Sequence, residues 1–334
     1  MVTKALILAP FDEAWLTRLR KAGVRVAYEP WTANMRLQDP AKLAARLRDE
    51  KIEIIVVEAD FLTAEAFAAP KLRIAGVCRN GLNLVDVNAA TERGIPIIST
   101  PTRNSIAVAE HTIAMMIAVA RHMIPSHEHV VAGEWTNPMN AYTHFQGREV
   151  HGSTVGVIGL GNIGGMVAER ARCLGANVLA YDPYIPKARG RELGARIVPL
   201  PTLLRESDFV TLHTSLSGTD KLLDAVALDL LKPDAYVINA GAHQALDYDA
   251  LAERLASGRI AGAALDVYPG FVLAADSALR SLTNVILTPH IGGATRETIV
   301  RQSKTVVEDL ERFLRGARPR NIANPQALKV ARGR

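Results

Sequence analysis

The sequence predicts an α/β protein with two Rossmann-like, doubly wound parallel-sheet domains. Three observations predict this class. Apolar β-type runs alternate with helix-like segments in the first part of the chain, a glycine-rich turn follows one such run near the middle, and the alternation then resumes. Alternating strands and helices place helices on both faces of a parallel sheet. A chain of 334 residues is long enough for about two domains of this kind.

The pattern predicts the main elements in order. Strands are expected before the glycine-rich turn at Lys4–Leu8, Val24–Tyr28, Glu53–Val57, Arg73–Val77 and Ile95–Ser99, and after it at Phe209–His213, Ala235–Asn239, Gly262–Asp266 and Val285–Thr288. Helices are expected at Asp12–Ala22, Pro40–Asp49, Val85–Arg93, Ser105–His122 and Thr295–Arg315. The stretch Gly133–Gly152 has few aliphatic residues, and we expect it to be an arm or a long loop.

The glycine-rich turn has the form Gly-x-Gly-x-x-Gly. It follows the strand-like run Thr154–Ile158 directly and leads into a helix-like stretch, Gly165–Leu174. Gly159 allows a tight turn, Gly161 lets a pyrophosphate approach the backbone, and Gly164 lets the helix pack on the strand. The helix N-terminus offers free N–H groups and the positive end of the helix dipole to phosphate oxygens. In this strand–turn–helix setting the motif predicts dinucleotide binding.

An acid at the end of the next strand-like run predicts which dinucleotide is bound. Asp182 directly follows Asn177–Tyr181. From this position a carboxylate accepts hydrogen bonds from the ribose hydroxyls, and it would repel a 2′-phosphate. We therefore expect NAD rather than NADP as the cofactor.

Composition argues against several other classes. No apolar run reaches the roughly 18 residues of a membrane span, because charged residues and histidines interrupt the longest candidate, Ile106–Ile124. The net charge of +5 is dispersed along the chain, which indicates a solvated surface rather than nucleic-acid binding. Met1–Pro10 has no signal-peptide pattern, and Cys78 and Cys173 lie in apolar stretches, so we expect buried thiols and a cytoplasmic protein. No metal site is expected.

The chain resembles the D-isomer-specific 2-hydroxyacid dehydrogenase family over nearly its whole length. The matching stretches keep the family's order and spacing: Asn80-Gly-Leu-Asn-Leu-Val-Asp86, Val108-Ala-Glu110, Gly159–Asp182, Leu212-His213, Val237-Ile-Asn239, Ala264-Leu-Asp-Val267 and Thr288-Pro-His-Ile-Gly-Gly293. The resemblance implies a flavodoxin-like substrate domain of residues 1–101 and 294–325, an inserted NAD-binding Rossmann domain of residues 102–293, and a tail of residues 326–334. It also implies an active site in a cleft and a homodimer, to which an arm, Trp135–Phe145, contributes.

The same resemblance implies roles for individual residues. Asn80 and Gly81 match the loop whose N–H groups hold a substrate carboxylate, and His290 matches the acid/base histidine. Arg79 lies beside that loop, so we include it among the substrate-binding residues. The residues expected to contact NAD are Gly159, Gly161, Asn162, Ile163, Gly164, Asp182, His213, Ala240, Asp266, His290 and Gly293, with Asp266 at the nicotinamide amide.

Two positions depart from the family pattern. Ala242 stands where the family has an Arg, and Phe271 stands where it has a Glu. An alanine cannot bind a 2-oxo acid bidentately as a guanidinium does. A phenylalanine cannot stabilise an imidazolium, and its apolar surface favours the neutral ring of His290. We therefore expect an apolar pocket lined by Ala242 and Phe271, a His290 that accepts protons better than it donates them, and slow reduction of ordinary 2-oxo acids.

Other residues could take over the role of the missing arginine. His243 and Gln244 follow Ala242 directly, at the carboxyl end of a predicted strand, where sites form in α/β proteins. His243 is the substrate-binding candidate of the two. The alternative is that both are loop residues without a role in the site, and the sequence leaves both readings open.

Three function classes follow from these residues. The first is an NAD-dependent oxidoreductase with a remodelled site, acting on a hydroxy acid or another secondary alcohol. The second is an enzyme in which bound NAD transiently oxidises the substrate and so activates an elimination or hydrolysis. The third is a catalytically silent NAD(H)-binding sensor. His290 favours the first two classes, and the paired loss of Arg and Glu favours the second or third.

Overall fold

The computed structural model describes residues 2–214 and 221–332. It divides into two compact units: a terminal unit, Met1–Arg103 with Thr295–Arg334, and a central unit, Asn104–Ala294. The chain therefore crosses between units after Arg103 and after Ala294. The domain limits expected from the sequence were residues 101 and 293. Each unit is a parallel sheet with helices on both faces, which confirms the predicted fold class.

The terminal unit is built on a five-stranded, parallel sheet. Its strands are β1 (Thr3–Ile7), β2 (Val24–Tyr28), β3 (Ile54–Val57), β4 (Ile74–Val77) and β5 (Ile97–Ser99), in the order β2-β1-β3-β4-β5. Every residue of β3 and β4 is buried, as expected for strands that are covered on both faces. Because β3, β4 and β5 are neighbours, the loops that follow these three strands meet at one edge of the sheet.

Helices cover both faces of this sheet. On one face helix α2 (Pro40–Asp49) contributes Leu43 and Leu47, and on the other a long C-terminal helix contributes Val306 and Leu310. Asp39 caps α2 by accepting a hydrogen bond from the backbone N–H of Lys42 at 2.9 Å. The helices of this unit are α1 (Glu13–Lys21), α2 (Pro40–Asp49), α3 (Ala64–Phe67), α4 (Val87–Glu92), α13 (Arg296–Leu314) and α14 (Ala327–Arg332).

The central unit is built on a seven-stranded, parallel sheet. Its strands are β6 (Thr154–Ile158), β7 (Asn177–Tyr181), β8 (Arg196–Ile197), β9 (Phe209–Leu212), β10 (Tyr236–Asn239), β11 (Gly262–Leu265) and β12 (Val285–Leu287), in the order β12-β11-β10-β9-β6-β7-β8. The strand order reverses at β6, which lies between β7 and β9. The crevice at the carboxyl end of such a reversal is where α/β sheets bind ligands.

The helices of the central unit also lie on both faces of its sheet. One face buries Met116 and Ala168, and the other buries Leu203 and Leu251. The helices are α5 (Ser105–Ala120), α6 (Met123–Val131), α7 (Pro138–His144), α8 (Asn162–Cys173), α9 (Lys187–Glu192), α10 (Leu200–Glu206), α11 (Ala225–Leu228) and α12 (Tyr248–Ala256).

The structure differs from three of the predictions made from the sequence outside the site. Cys78 is buried as expected, but Cys173 is exposed, because it ends the outer face of α8. The expected arm or loop contains helix α7, and its apolar side chains Trp135 and Tyr142 are 54% and 79% exposed. In the described part of the expected tail, residues 326–332, the chain forms α14, and Ala327 is completely buried.

Candidate NAD-binding and active site

The glycine-rich turn connects β6 to α8, and its three glycines meet different constraints. Gly159 has a φ of +89°, and a Cβ there would lie 2.8 Å from the backbone of His213. A Cβ at Gly164 would overlap the carbonyl oxygen of Gly159. At Gly161, by contrast, a Cβ would meet nothing within 4 Å. The chain's own packing therefore requires two of the glycines, and the third leaves the backbone open to a ligand, as a pyrophosphate site needs.

Helix α8 begins at Asn162, earlier than the predicted Gly165. Gly161 is its N-cap residue and offers no side chain to the first turn. The backbone N–H groups of Asn162, Ile163 and Gly164 accordingly have no acceptor among the described residues. Free N–H groups at the positive end of a helix dipole are suited to bind phosphate oxygens. The residues present in this turn thus fit a dinucleotide.

Asp182 joins the end of β7 to the glycine-rich turn. Its carboxylate accepts hydrogen bonds from the backbone N–H groups of Leu160, at 2.8 Å, and Tyr184, at 2.9 Å. A carboxylate has about four acceptor positions, so two remain for ribose hydroxyls. The side chain is partly exposed and lies at the strand reversal. This geometry agrees with the expected role of Asp182 in ribose binding.

His213 lies directly opposite the glycine-rich turn, at the end of β9. Its backbone N–H donates to the carbonyl oxygen of Ile158 at 2.7 Å, and its Nε2 lies 2.9 Å from Oγ1 of Thr211. Its Nδ1 is buried and has no partner in the described part of the chain. Burial lowers the pKa of His213 to about 3, so the ring is neutral at physiological pH. Ala240, which directly follows the neighbouring strand β10, is 4% exposed.

The loop that carries His290 is held by one buried carboxylate. Asp266, at the end of β11, is completely buried. It accepts hydrogen bonds from Oγ1 of Thr288 at 2.6 Å and from the backbone N–H groups of Ile291 and Gly292, both at 2.8 Å. His290 itself is exposed, and its φ of +56° turns the chain sharply between these anchors. Asp266 therefore anchors the chain both before and after His290, the candidate acid/base residue.

A histidine that the sequence reasoning missed completes this arrangement. Nε2 of His111, on α5, lies 3.5 Å from Oδ1 of Asp266 and 3.4 Å from Oγ1 of Thr288. Burial by itself would raise the pKa of Asp266, but hydrogen bonds from His111, Thr288 and the loop N–H groups keep it below its ordinary value. The signal in the sequence was the position of His111 directly after the Val108-Ala-Glu110 motif. A contact of Asp266 with nicotinamide stays a prediction, since both oxygens of this carboxylate already accept hydrogen bonds from groups of the chain itself.

Phe271 lies beside His290. The two ring centroids are 6.4 Å apart and the ring planes differ by 10°. This centroid separation is close to the upper limit for interacting aromatic rings. Phe271 has a φ of +68° and is 59% exposed. It lines an open cavity of about 310 Å³ together with Tyr268, Val272, Leu273, Arg280, Leu287, Thr288 and Pro289. The side chain next to His290 is thus an aromatic ring, as the sequence reasoning expected.

Ala242 is not among the residues that line this cavity, and its place in the substrate cleft stays a prediction. Ala242 is 6% exposed, and its methyl group packs in the hydrophobic core of the central unit. Its N–H donates to Oδ1 of Asn239 at 3.0 Å, and its carbonyl accepts from Nδ2 of Asn239 at 3.2 Å. His243 starts a short 3₁₀ turn and is partly buried. Its ring makes no hydrogen bond within the described residues.

Gly293 closes the His290 loop close to α5. A Cβ at Gly293 would lie 3.0 Å from Nδ2 of Asn104, and one at Gly292 would lie 3.0 Å from Oδ2 of Asp266. Both distances are tighter than ordinary van der Waals contact, so this loop needs small residues to approach the helix and the buried acid. All the residues that were expected to contact NAD lie in the central unit, and their contacts with the cofactor stay predictions.

The three expected substrate-binding residues of the first domain lie in the terminal unit. Arg79, Asn80 and Gly81 follow β4. Asn80 and Gly81 are exposed, and their N–H groups donate to no described residue. Arg79 is partly buried, and its carbonyl accepts from the N–H of Thr100 at 3.0 Å.

A comparison with known families finds a match to the central part of the chain. Residues 113–292 match the family model described as the NAD-binding domain of D-isomer-specific 2-hydroxyacid dehydrogenases. The chain is 36% identical over 330 residues to a D-3-phosphoglycerate dehydrogenase of Archaeoglobus fulgidus, covering 98% of this chain and 60% of that protein. It is 38% identical over 276 residues to a glyoxylate reductase of Korarchaeum cryptofilum, covering 81% of this chain and 82% of the reductase.

Solved structures agree with this match. A protein of Thermus thermophilus superposes with a TM-score of 0.84 at 32% identity, covering 96% of this chain and 100% of that one. A D-isomer-specific 2-hydroxyacid dehydrogenase of Polaromonas, described as putative and NAD-binding, superposes with a TM-score of 0.85 at 27% identity, covering 96% and 99%. An acyclic imino acid reductase, solved in complex with NADPH and D-Arg, superposes with a TM-score of 0.79 at 26% identity, covering 96% and 99%.

The chain belongs to the D-isomer-specific 2-hydroxyacid dehydrogenase family, and its central unit is the NAD-binding domain of that family. It spans about half to three fifths of the length of three similar D-3-phosphoglycerate dehydrogenases, those of Archaeoglobus fulgidus, Synechocystis and Methanocaldococcus jannaschii. Among the described residues no helix is long and apolar enough to cross a membrane. The same residues hold no group of three or more side chains that could bind a metal ion.

Proposed function

We propose that the protein is an NAD-dependent dehydrogenase that acts on the CH–OH group of a hydroxy acid or a related secondary alcohol, with a non-standard catalytic set. One observation carries this proposal. His290 lies on a loop that a buried carboxylate, Asp266, holds in the same unit as the glycine-rich turn. An imidazole held in the same unit as a cofactor-binding turn is suited to move the proton that must accompany a hydride transfer.

The reaction divides between the cofactor and the chain. NAD, when bound, would supply the oxidant for a hydride transfer from the carbon that bears the hydroxyl group. His290 accepts the hydroxyl proton, so that the alcohol becomes a carbonyl and the imidazole becomes an imidazolium. The glycine-rich turn would hold the pyrophosphate, and Asp182 would hold the ribose. Further contacts to NAD are proposed for Asn162, Ile163, His213, Ala240, Asp266 and Gly293.

Phe271 supports a preference for oxidation. A carboxylate beside His290 would stabilise its charged form, whereas an aromatic ring 6.4 Å away offers no charge and no strong acceptor. A neutral imidazole accepts a proton well and donates one poorly. We expect pyruvate, glyoxylate and hydroxypyruvate to be poor substrates with NADH. Rapid turnover of any of them would contradict this part of the proposal.

A second candidate is an enzyme that keeps its NAD and oxidises the substrate only transiently. The alanine at position 242 favours this candidate, since its side chain offers no guanidinium to a substrate ketone. Such an enzyme would release a product of elimination or hydrolysis and would restore NAD in each cycle. A homodimer formed through the exposed arm is proposed for either function.

His290→Asn tests both candidates. We expect it to lower turnover of the best alcohol or hydroxy acid by about 10²–10⁴-fold, with the affinity for NAD unchanged. His127→Asn, which changes an exposed histidine on α6, is the matched control. Net formation of reduced nicotinamide supports the dehydrogenase, and a bound cofactor that is only transiently reduced supports the second candidate. Unchanged turnover in His290→Asn would remove this residue from the mechanism, and NAD binding without any reduction would indicate a silent sensor.

A further inference from the structure

The open cavity beside Phe271 takes no part in the proposed reaction. It has a volume of about 310 Å³, and all the residues that line it belong to the central unit. None of them is among the residues expected to contact NAD or to bind the substrate, and His290 is not one of them. Small-molecule sites have volumes of about 300–1,000 Å³. The cavity lies at the lower end of this range, so it fits a small ligand.

The wall of this cavity is mostly apolar. Phe271, Val272 and Leu273 form one continuous part of it, and Leu287 adds to it. The hydroxyl of Tyr268 is already shared between two backbone carbonyl oxygens, at 2.8 and 2.9 Å, so its hydrogen is not free for a ligand. Phe271 and Val272 are 59% and 76% exposed. A contiguous exposed apolar surface of this kind is typical of a ligand-binding groove.

The backbone holds Phe271 in this exposed position against its own preference. Gly270 and Phe271 have φ values of +71° and +68°, and an aromatic residue rarely adopts such a conformation. The N–H of Phe271 donates to the carbonyl oxygen of Tyr268 at 3.3 Å. Strained backbone of this kind persists where the surrounding structure enforces it, and it is concentrated at active sites and ligand-binding sites. The conformation therefore supports a binding role for the exposed ring.

Arg280 adds one positive charge to the cavity. Its Nε donates to the carbonyl oxygen of Ala274 at 2.9 Å, and its Nη2 donates to that of Leu273 at 3.0 Å. Within the described part of the chain, Nη1 has no acceptor and no acid forms an ion pair with Arg280. A guanidinium has five N–H donors, so the edge formed by Nη1 and Nη2 keeps hydrogens for a ligand. Burial and the charge of Asp266 raise the pKa of Tyr268 to about 12, and the positive charge of Arg280 opposes this rise.

We propose that this cavity is a second ligand site, which binds a small carboxylic acid with an apolar side chain. The free Nη1–Nη2 edge of Arg280 holds the carboxylate, because a guanidinium matches the planar carboxylate bidentately. The apolar side chain of the ligand packs on Phe271 and Leu273. An apolar cavity of about 150 Å³ can hold benzene. The larger volume here therefore leaves room for a ring and its carboxylate.

Phenylacetate is the probe, and calorimetric titration of the whole chain in the presence of NAD measures its dissociation constant. We expect phenylacetate to bind about tenfold more tightly than its neutral amide, phenylacetamide, because only the acid makes a charge-assisted hydrogen bond to Arg280. We expect it to bind about tenfold more tightly than acetate, because acetate has no ring to bury. The first ratio reports the guanidinium, and the second reports the apolar wall.

Substitution of Arg280 tests the charged half of the site. Arg280→Gln should raise the dissociation constant for phenylacetate about tenfold and leave that for phenylacetamide unchanged. Arg280→Lys should recover part of the loss, since Lys keeps the charge but not the bidentate fork. Arg259→Gln is the matched control, because Arg259 is an exposed arginine of the same unit that pairs with Glu253 at 3.0 Å. It should leave the binding of both probes unchanged.

Substitution of Val272 tests the same site without removing the hydrogen bonds that Arg280 makes to the loop. Val272→Glu places an acid in the cavity, where it repels the probe and competes for Arg280. We expect weaker binding of phenylacetate to Val272→Glu than to Val272→Gln, which has the same size and no charge. Because Val272 is so exposed, both variants should fold. This pair decides the proposal if Arg280→Gln fails to fold.

Nuclear magnetic resonance of the histidine rings locates the bound probe. The rings of Phe271 and His290 are 6.4 Å apart. A phenyl group packed on Phe271 should therefore shift the ring signals of His290 and leave those of the exposed His127 unchanged. Unshifted His290 signals at saturating phenylacetate would place the probe elsewhere and overturn the proposal.

The binding data can overturn the proposal in three further ways. Phenylacetate might bind no better than acetate or phenylacetamide. It might show the same dissociation constant for Val272→Glu and Val272→Gln, or for a folded Arg280→Gln and the unmodified protein. It might not bind at millimolar concentration. None of these measurements requires turnover, so the site stands or fails independently of the proposed dehydrogenase.

Discussion

Asp266→Asn is the substitution that tests the geometry of the His290 loop most directly. The Asp266 carboxylate accepts from Thr288 and from the N–H groups of Ile291 and Gly292. An amide has one acceptor oxygen, so in either orientation its NH₂ group faces at least one of these backbone donors. A buried donor without a partner costs about 1–3 kcal/mol. We expect a loss of this size in the stability of the central unit.

Thermal unfolding of the ligand-free protein is the first assay. For a domain of 150–250 residues, about 2–4 °C per kcal/mol predicts a fall in Tm of about 2–12 °C. The second assay is His290-dependent turnover, which should fall by about 10²-fold, because a shift of the loop by about 1 Å costs that much. Asp276→Asn, an exposed acid of the same unit, is the control. An unchanged Tm with weaker NAD binding would refute the reasoning and would assign Asp266 to the nicotinamide alone.

Three further predictions concern the cofactor, pH and assembly. NAD should bind much more tightly than NADP, and Asp182→Ala should narrow the gap between the two dissociation constants while weakening both, since it also frees the N–H of Leu160. Because the pKa of His213 falls from 6.5 to about 3 on folding, the unfolded chain binds the extra proton between these values. Stability should therefore drop by up to about 1.4 kcal/mol per pH unit as pH falls through that window, and urea unfolding of His213→Gln should show a flatter pH dependence. Tyr142→Glu, in the exposed arm, should convert the proposed dimer to monomers in sedimentation experiments, whereas an unmodified protein that sediments as a monomer would contradict the dimer.

Local patterns in the sequence predicted the sheets well. The limits of β2, β6 and β7 were predicted to the residue, and those of the other strands named in advance were within two residues. These strands are apolar runs bounded by turns or by polar residues, so neighbouring residues suffice to define them. Strand β8, Arg196–Ile197, was missed because two residues carry no periodicity. Helix α7 was missed because exposed, mixed polar and apolar residues show no buried stripe.

The sequence by itself determined the glycine-rich turn and the acid that follows β7, and through its resemblance to the family it predicted the role of His290 and the departures at Ala242 and Phe271. All of these are read from residues close together in the chain. Only the tertiary structure decided that Ala242 packs in the core, that Asp266 is enclosed by the loop it supports, and that Nε of Arg79 is buried without an acceptor among the described residues. The reason is physical: burial and charge balance depend on which strands become neighbours, and that order is set by the packing of the whole unit.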